Sequence, residues 1–599
     1  MLRLKVKERV AGVAVVIPTR PETSQFSPHQ KCPNAGYGVY SQDYGPEYVN
    51  CNRTLWNPHG NGLSYEDFPF PIFMLRDQNE TQIIRQCFLD HNAQVNGTAP
   101  EYPLCAMQLS SHMHAVRDTV TCMRRNTAQV TLTLNPEMVC DPLGDFNVWA
   151  VTRPINKSDK AGPEARFVLA ATRLDARSFF WGLAPGADSA VSGFIALLAA
   201  AEALARIEGV TTLQKNIMFV FFQGESFDYI GSSRMVYDMS KGNFPIRLKN
   251  IDSFVELNQV GRGTSLWAHT DPISRLNSTT EQKVHSLLES LFNATSGTSV
   301  TVQEPTRSQP LPPSSFQRFL RAEEIPGTVL TDHHAAFTNR YYESAYDMQE
   351  NIGLEYPEGL TPEESLNYVT DTARALADVG TAMARALYRQ AGGNTSLGNI
   401  TASPQTVSRM LYTFLVQQNN SWSRSILSTD AQSIVGKEQM MFYVSASIHL
   451  NTPTLFVQHI LANLTGTATN LTEEQCRNAD KRPEQDRDLY DFLWIQGWKG
   501  ENATEPKPYC VQSPVWLTKA VSPAFELKDW ASTEYSTWTE SRWKEISARI
   551  FLVASRKLEI ITLLTGIGVL LVSLILIYFV NAKANVLFTS PREHSTSSY

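Results

Sequence analysis

Ile560 to Val580, IITLLTGIGVLLVSLILIYFV, is a run of 21 residues without a charge that begins 40 positions before the end of a 599-residue chain. As a helix it measures roughly 31 Å at 1.5 Å per residue, the thickness of a bilayer's hydrocarbon core. A helix that is apolar on every face needs either a core around it or lipid. Residues 560–580 are therefore expected to form one C-terminal transmembrane helix, with a short polar tail at 581–599. Lysine and arginine do not orient it: Arg549, Arg556 and Lys557 precede the run, and Lys583 and Arg592 follow it.

Two other patterns do. Asn-x-Ser/Thr sequons begin at Asn52, Asn79, Asn96, Asn156, Asn277, Asn293, Asn394, Asn399, Asn419, Asn463, Asn470 and Asn502, all on one side of the run. Such a one-sided set predicts glycans in a secretory compartment. The eight cysteines, Cys32, Cys51, Cys87, Cys105, Cys122, Cys140, Cys476 and Cys510, lie on that same side. An even number in an oxidising compartment reads as disulfides. Of the 105 formal pairings, neighbour pairing is the expectation for the first six, whose neighbours stand about 18 residues apart. No Cys/His cluster suggests a cysteine zinc site. The chain reads as a single-pass type I glycoprotein with its bulk lumenal or extracellular and its tail cytosolic. Residues 1–20 make a poor export signal, because the apolar stretch VAGVAVVI is short, ends at Pro18 and resembles a buried strand. A chain that starts inside a domain is the expectation there.

Hydrophobic residues make up 42% and charged residues 19%, ordinary globular material, and a net charge of −7 argues against nucleic-acid binding. The roughly 555 residues before the run exceed what one core holds, so two or more lobes are expected. Short apolar runs at Phe167–Thr172, Asn216–Gln223, Ser253–Val260 and Gly327–Thr331 suit buried parallel strands. Between the first two, Ser192–Arg206 is a strong helix former. A long helix should open at Thr361, with Pro362 at its first position and Glu364 completing a capping box, and run to the glycines at 392–393. Alternating strands and helices imply an α/β fold with a mostly parallel sheet. The expected division is a small lobe at 1–140, a large lobe at 141–400, and a C-terminal part at 401–555 packed on the large lobe.

In such sheets ligands bind beyond the carboxyl ends of the strands. There the chain carries Arg173-Leu174-Asp175, then Gly186-Ala187-Asp188-Ser189-Ala190-Val191-Ser192-Gly193, then Gly224-Glu225-Ser226-Phe227-Asp228-Tyr229-Ile230-Gly231-Ser232, then Asn258, then Asp332-His333 and Tyr341-Tyr342-Glu343-Ser344-Ala345-Tyr346-Asp347. Order and spacing resemble the M28-type zinc aminopeptidases over about residues 165–350. The resemblance places the family's metal ligands on Arg173, Ser189, Ser226, Asn258 and Glu343. It keeps Asp175 and the general-base glutamate as Glu225, and leaves Asp188 one place early. A dinuclear zinc site needs carboxylates and imidazoles, so these positions imply a pseudo-peptidase without metal or other cofactor. The adjacent His333 and His334 do not replace the site.

Asp228-Tyr229-Ile230-Gly231-Ser232, the block Trp538-Thr539-Glu540-Ser541-Arg542-Trp543 and the single terminal span narrow the match to the nicastrin family, the glycosylated non-catalytic subunits of γ-secretase. That resemblance implies presenilin and the anterior-pharynx-defective and presenilin-enhancer subunits as partners. It implies stubs of type I membrane proteins such as Notch and the amyloid precursor as substrates. It further implies residence in the endoplasmic reticulum, Golgi, endosome and plasma membrane. Glu225, Tyr229 and Asp228 would then line the vestigial pocket, with Glu225 either contacting a free amino terminus or pairing with Arg173 to steady the strand ends. Trp56 falls in a segment the family uses as a lid, and Phe179 resembles a pivot between lobes; ordinary packing is the alternative for both. In the span, Thr562, Gly566, Gly568 and Ser573 allow close helix approach, and Tyr578 suits an interfacial anchor. The rival readings are an active membrane-anchored zinc aminopeptidase and a cell-surface receptor on a dead peptidase fold.

Overall fold

The computed structural model describes residues 10–17, 23–94, 97–98, 100–113, 118–497 and 507–588. The sequons at Asn96 and Asn502, Arg592 and most of the polar tail lie outside the described residues. The chain forms two compact units, Met1–Pro18 with Phe68–Met113 and Trp543–Tyr599, and Thr19–Asp67 with His114–Arg542.

An eight-stranded sheet organises the larger unit. At its centre lie Phe167–Arg173, Asn216–Phe222, Ile251–Leu257 and Gly327–Thr331. The first, second and fourth are buried at every residue, as strands covered on both faces must be. Across the sheet the order is Thr301–Gln303, Ser265–His269, Gly327–Thr331, Ile251–Leu257, Phe167–Arg173, Asn216–Phe222, Gly144–Val151 and Val515–Val521. The four central strands run parallel to one another, with Leu169 opposite both Met218 and Phe254, and Ser265–His269 lies antiparallel to Gly327–Thr331. Gly144–Val151 and Val515–Val521 continue the sheet antiparallel. A parallel centre thus carries antiparallel additions, and one of them comes from the C-terminal part of the chain.

Helices cover both faces. Ser192–Ala205, buried along all but its last residue, packs against Asp371–Gln390 and Pro404–Leu415. The approach is close enough that a methyl at Gly380 would lie 2.9 Å from the Ala196 carbonyl oxygen. On the opposite face, Met235 and Val236 of Ile230–Lys241 and Phe316 and Phe319 of Phe316–Ala322 fill a second apolar layer. The Thr361/Glu364 capping box is present, but the helix it opens stops at Asn367. Tyr368 is extended, and Thr370 caps a new helix, Asp371–Gln390, by accepting from the Ala373 N–H. A second good N-cap nine residues on offers the backbone another start, so the expected single helix is two.

Residues 23–67 and 118–140, expected in the small lobe, make their contacts within the larger unit. The Phe337 N–H donates to the Trp56 carbonyl at 2.8 Å, and the Thr119 hydroxyl donates to the Thr537 carbonyl at 2.7 Å. Two disulfides, Cys32–Cys51 and Cys122–Cys140, close these segments, and Cys476–Cys510 staples a three-stranded sheet of Thr467–Thr469, Tyr509–Ser513 and Asp491–Ile495.

The smaller unit pairs Val13–Val16 with Ile72–Leu75 in parallel and Leu104–Met113 with Trp543–Val553 antiparallel. Val13–Val16 is only partly buried. The helix Gln78–His91, capped by Asp77, is joined to the ribbon by Cys87–Cys105. Ser555 caps the helix Arg556–Ala582. By length and composition, two helices among the described residues are apolar enough to cross a membrane. Ala187–Ala205 is buried within the larger unit at every residue but its last, so it is a core helix. Arg556–Ala582 buries none of its side chains and is the candidate span.

Candidate functional site

The loops at the carboxyl ends of the parallel strands converge as the sheet topology requires, and what they bring together is an ion-paired, hydrogen-bonded cluster. Arg173 ends its strand 7% exposed and forms a salt bridge to Glu343, which is 1% exposed. The other Glu343 oxygen accepts the Arg177 N–H at 2.6 Å, and the Tyr342 hydroxyl sits 3.4 Å from the Arg173 guanidinium. Burial pushes the Glu343 carboxyl up, and Arg173 opposes that rise. One of the two roles expected for Glu225 is a pair with Arg173. The structure corrects this: the 341–347 loop delivers Glu343 instead, and Glu225 is engaged elsewhere.

Two other carboxylates tie the loops down. Asp175 accepts from the Glu225 N–H at 2.6 Å, the Ser226 N–H at 2.9 Å and the Ser226 hydroxyl. Asp347 accepts from the Asp188 N–H at 3.1 Å, the Ser189 N–H at 2.9 Å and the Ser189 hydroxyl at 2.6 Å. Ser226 and Ser189 are thus donors to neighbouring aspartates. Asn258 stands apart, its amide donating to the Pro313 carbonyl at 2.9 Å. Burial and the carboxylates of Asp332 and Asp347 push Asp188 well up. Among the described residues, no group of three or more His, Cys, Asp or Glu side chains is disposed to hold a metal ion.

Glu225 is 2% exposed and accepts from the Ser232 N–H at 2.8 Å, the Ser232 hydroxyl at 2.7 Å and the Ser315 hydroxyl at 2.7 Å. Ser232 lies in the first turn of the helix Ile230–Lys241, where N–H groups have no intrahelical acceptor. The Glu225 carboxylate therefore works as a side-chain cap on a helix that lacks one at Tyr229. Burial raises its pKa to about 7 against those bonds. Glu256 accepts from the Ser315 and Phe316 N–H groups at 3.0 and 2.8 Å, and burial raises it to about 8. Ser315 thereby links the two carboxylates.

The Asp228-Tyr229 turn is left-handed at both residues, φ 62° and 60°. Asp228 accepts from the Trp538 indole at 2.7 Å, and the Tyr229 hydroxyl accepts from the Ser314 N–H at 3.1 Å. Gly231 follows because nothing larger fits: a methyl there would lie 2.3 Å from Asn147 Oδ1. The Arg177 guanidinium lies 4.6 to 5.0 Å from the rings of Phe227, Tyr65 and Trp538. Trp56 is 4% exposed against Phe337 and Tyr342. Phe179 is partly buried, edge-on to Phe180 at 5.0 Å.

Sequence reasoning missed Arg177, Ser232, Ser315 and Glu256. Ser232 alone carried a signal, standing at the start of a helix three residues past a tyrosine that cannot cap it. Of the sequon asparagines within the described residues, Asn52, Asn79, Asn277, Asn293, Asn394, Asn399 and Asn470 are exposed, and Asn156, Asn419 and Asn463 are partly buried.

Residues 166–388 match the family model for the nicastrin large lobe, and residues 1–115 match that for the nicastrin small lobe. A human protein named nicastrin is 57% identical over 594 residues, covering 99% of this chain and 84% of its own length, and the mouse protein is 58% identical over the same span. A crystal structure of the γ-secretase component nicastrin superposes with a TM-score of 0.66 at 22% identity, over 91% of this chain and 87% of that one, a likeness of fold. The chain belongs to the nicastrin family.

Proposed function

We propose that this chain is the non-catalytic, membrane-anchored subunit of a γ-secretase assembly, and that its aminopeptidase-like large lobe is a pseudo-peptidase. The observation that carries this reading is the buried Arg173–Glu343 ion pair. A guanidinium occupies the position where the M28-type resemblance requires the first metal-binding histidine. The remaining matched positions are Ser189, Ser226 and Asn258, none of them a carboxylate or imidazole. These residues do not fit a dinuclear zinc site. Glu225, the matched general base, has its carboxylate committed to Ser232 and Ser315. Structural support of the strand ends is its role in this reading.

A lumenal lobe of this size, carried on the Arg556–Ala582 helix as a type I span, selects substrates by bulk. Long ectodomains clash with it, and short stubs of type I membrane proteins, of the Notch and amyloid-precursor kind, pass to the proteolytic subunit. The partners are then presenilin and the anterior-pharynx-defective and presenilin-enhancer subunits, in membranes from the endoplasmic reticulum to the cell surface. The test is extraction of the full-length chain in a mild detergent, followed by affinity capture and identification of what accompanies it. Those three subunits in stoichiometric amounts are expected. A chain that comes alone and cleaves a short peptide with bound zinc overturns the reading.

A further inference from the structure

Trp56 does not merely pack against Phe337 and Tyr342; it closes over two buried imidazoles. Its ring lies 5.6 Å from the His269 ring and 6.0 Å from the His333 ring, and those two rings are 6.0 Å apart. His269 is 0% and His333 1% exposed. Nε2 of His269 donates to the His333 carbonyl at 2.9 Å and lies 3.1 Å from the Thr331 hydroxyl, while its buried Nδ1 has no hydrogen-bond partner among the described residues. His333 turns Nδ1 toward Asp332 at 3.1 Å, and its buried Nε2 has no partner among the described residues. A third imidazole belongs to the covering segment itself. His29, 1% exposed, accepts the Gln30 N–H on Nδ1 at 2.8 Å, so its single proton is on Nε2, 3.1 Å from the Tyr65 hydroxyl.

We infer that residues 23–67 are held over the site by a histidine latch that requires His29 and His269 to be neutral, so that acidification releases the segment. The geometry supplies the reason. A proton added to His269 Nδ1 creates an N–H with no acceptor beneath Trp56, and one added to His29 Nδ1 sets it against the Gln30 N–H. Burial holds both imidazoles below their usual range, with His333 adding to the effect on His269 and Arg177 and Arg173 adding to that on His29. The other charged or titratable groups around them are His334 near His269, and Asp332, Tyr65, Tyr342 and Glu343. Arg262 donates its N–H to Asp332 at 3.0 Å. Asp271 holds the same segment by accepting from the Tyr40 and Tyr44 hydroxyls at 2.9 and 2.6 Å.

The latch goes beyond the assembly reading and holds whichever substrates the chain handles. An imidazole that titrates near 6.5 when freed and stays neutral when covered weakens closure about tenfold per pH unit below 6.5, or about 30-fold at pH 5 for each histidine. The test is hydrogen exchange by mass spectrometry on the full-length protein in mild detergent at pH 7.4 and pH 5.0, corrected for intrinsic rates. Peptides spanning residues 50–62 are expected to lose protection by about 30-fold or more at pH 5.0, while peptides from the Phe167–Arg173 strand keep theirs. His269→Gln, which retains a donor toward the His333 carbonyl, is expected to remove about 30-fold of that response. Equal protection of residues 50–62 at both pH values in the wild type overturns the latch, as does a response undiminished in His269→Gln combined with His29→Asn. Loss of protection throughout the larger unit at pH 5.0 overturns it too, because the opening would then be global.

Discussion

Removing the Arg173 guanidinium gives the sharpest test of how the strand ends are held. The two side chains of the Arg173–Glu343 pair are 8% and 0% exposed. Breaking such a pair by deleting one partner leaves a buried charge uncompensated and costs about 3–5 kcal/mol, whereas replacing both by apolar groups is often tolerated. Arg173→Met leaves Glu343 with only the Arg177 N–H, and the loss should fall in that range. At about 2.1 cal/mol/K per residue, a cooperative unit of about 480 residues loses about 1 °C of Tm per kcal/mol, so a drop of about 4 °C is expected by calorimetry. Arg173→Met with Glu343→Leu should recover much of it, keeping about 1–3 kcal/mol for the Arg177 N–H left without its acceptor. The experiment is a double-mutant cycle on the full chain in mild detergent. A drop below 1 °C in the single variant, or additive losses in the double, would refute the reasoning, because the pair would not be coupled.

The remaining predictions concern charge, staple and span. Glu225 at about 7 and Glu256 at about 8 are raised above 4.5, so the folded state binds more protons across that window. Their contribution is full below pH 4.5 and is lost as pH rises through 7 and 8, on the order of 3 kcal/mol or more each. Thermal stability of the larger unit should therefore fall from pH 5 to pH 8, and Glu225→Gln should flatten the slope while leaving substrate turnover unchanged once assembly is matched. A clear loss of turnover would restore a contact role for Glu225. Cys476→Ser with Cys510→Ser opens a loop of sequence separation 34 and should cost about 3–4 kcal/mol, read as a shift of the denaturant midpoint. Leu570→Arg at the middle of the span should cost about 2.5–3.5 kcal/mol of insertion, read as carbonate-extractable protein.

Much of the sheet was legible because a strand buried on both faces must be apolar along its length. Gly327–Thr331 falls where the apolar run placed it, and Phe167–Arg173 extends its run by one residue. The capping box at Thr361 was equally readable, being local chemistry. The break at Tyr368 was not, since choosing between two N-caps depends on what each helix packs against. The packing of residues 23–67 into the larger unit was hidden for the same reason: Trp56 makes its contacts with Phe337, far along the chain. In the site, the resemblance places Arg173 and Glu343 at two ligand positions of one dinuclear centre, which already implies that they lie close together. Glu225 stays open in the sequence between an amino-terminus contact and a pair with Arg173, because spacing along the chain does not show that the first turn of Ile230–Lys241 needs the Glu225 carboxylate.

The central claim, that side chains of the chain itself fill its peptidase-like site, is tested most directly by purifying the full-length protein with zinc present throughout. Metal is then measured per chain by mass spectrometry, beside hydrolysis of an aminoacyl amide. Zinc far below one ion per chain, with hydrolysis no faster than in buffer, is predicted. Two zinc ions per chain, with turnover that a chelator abolishes, would contradict the account.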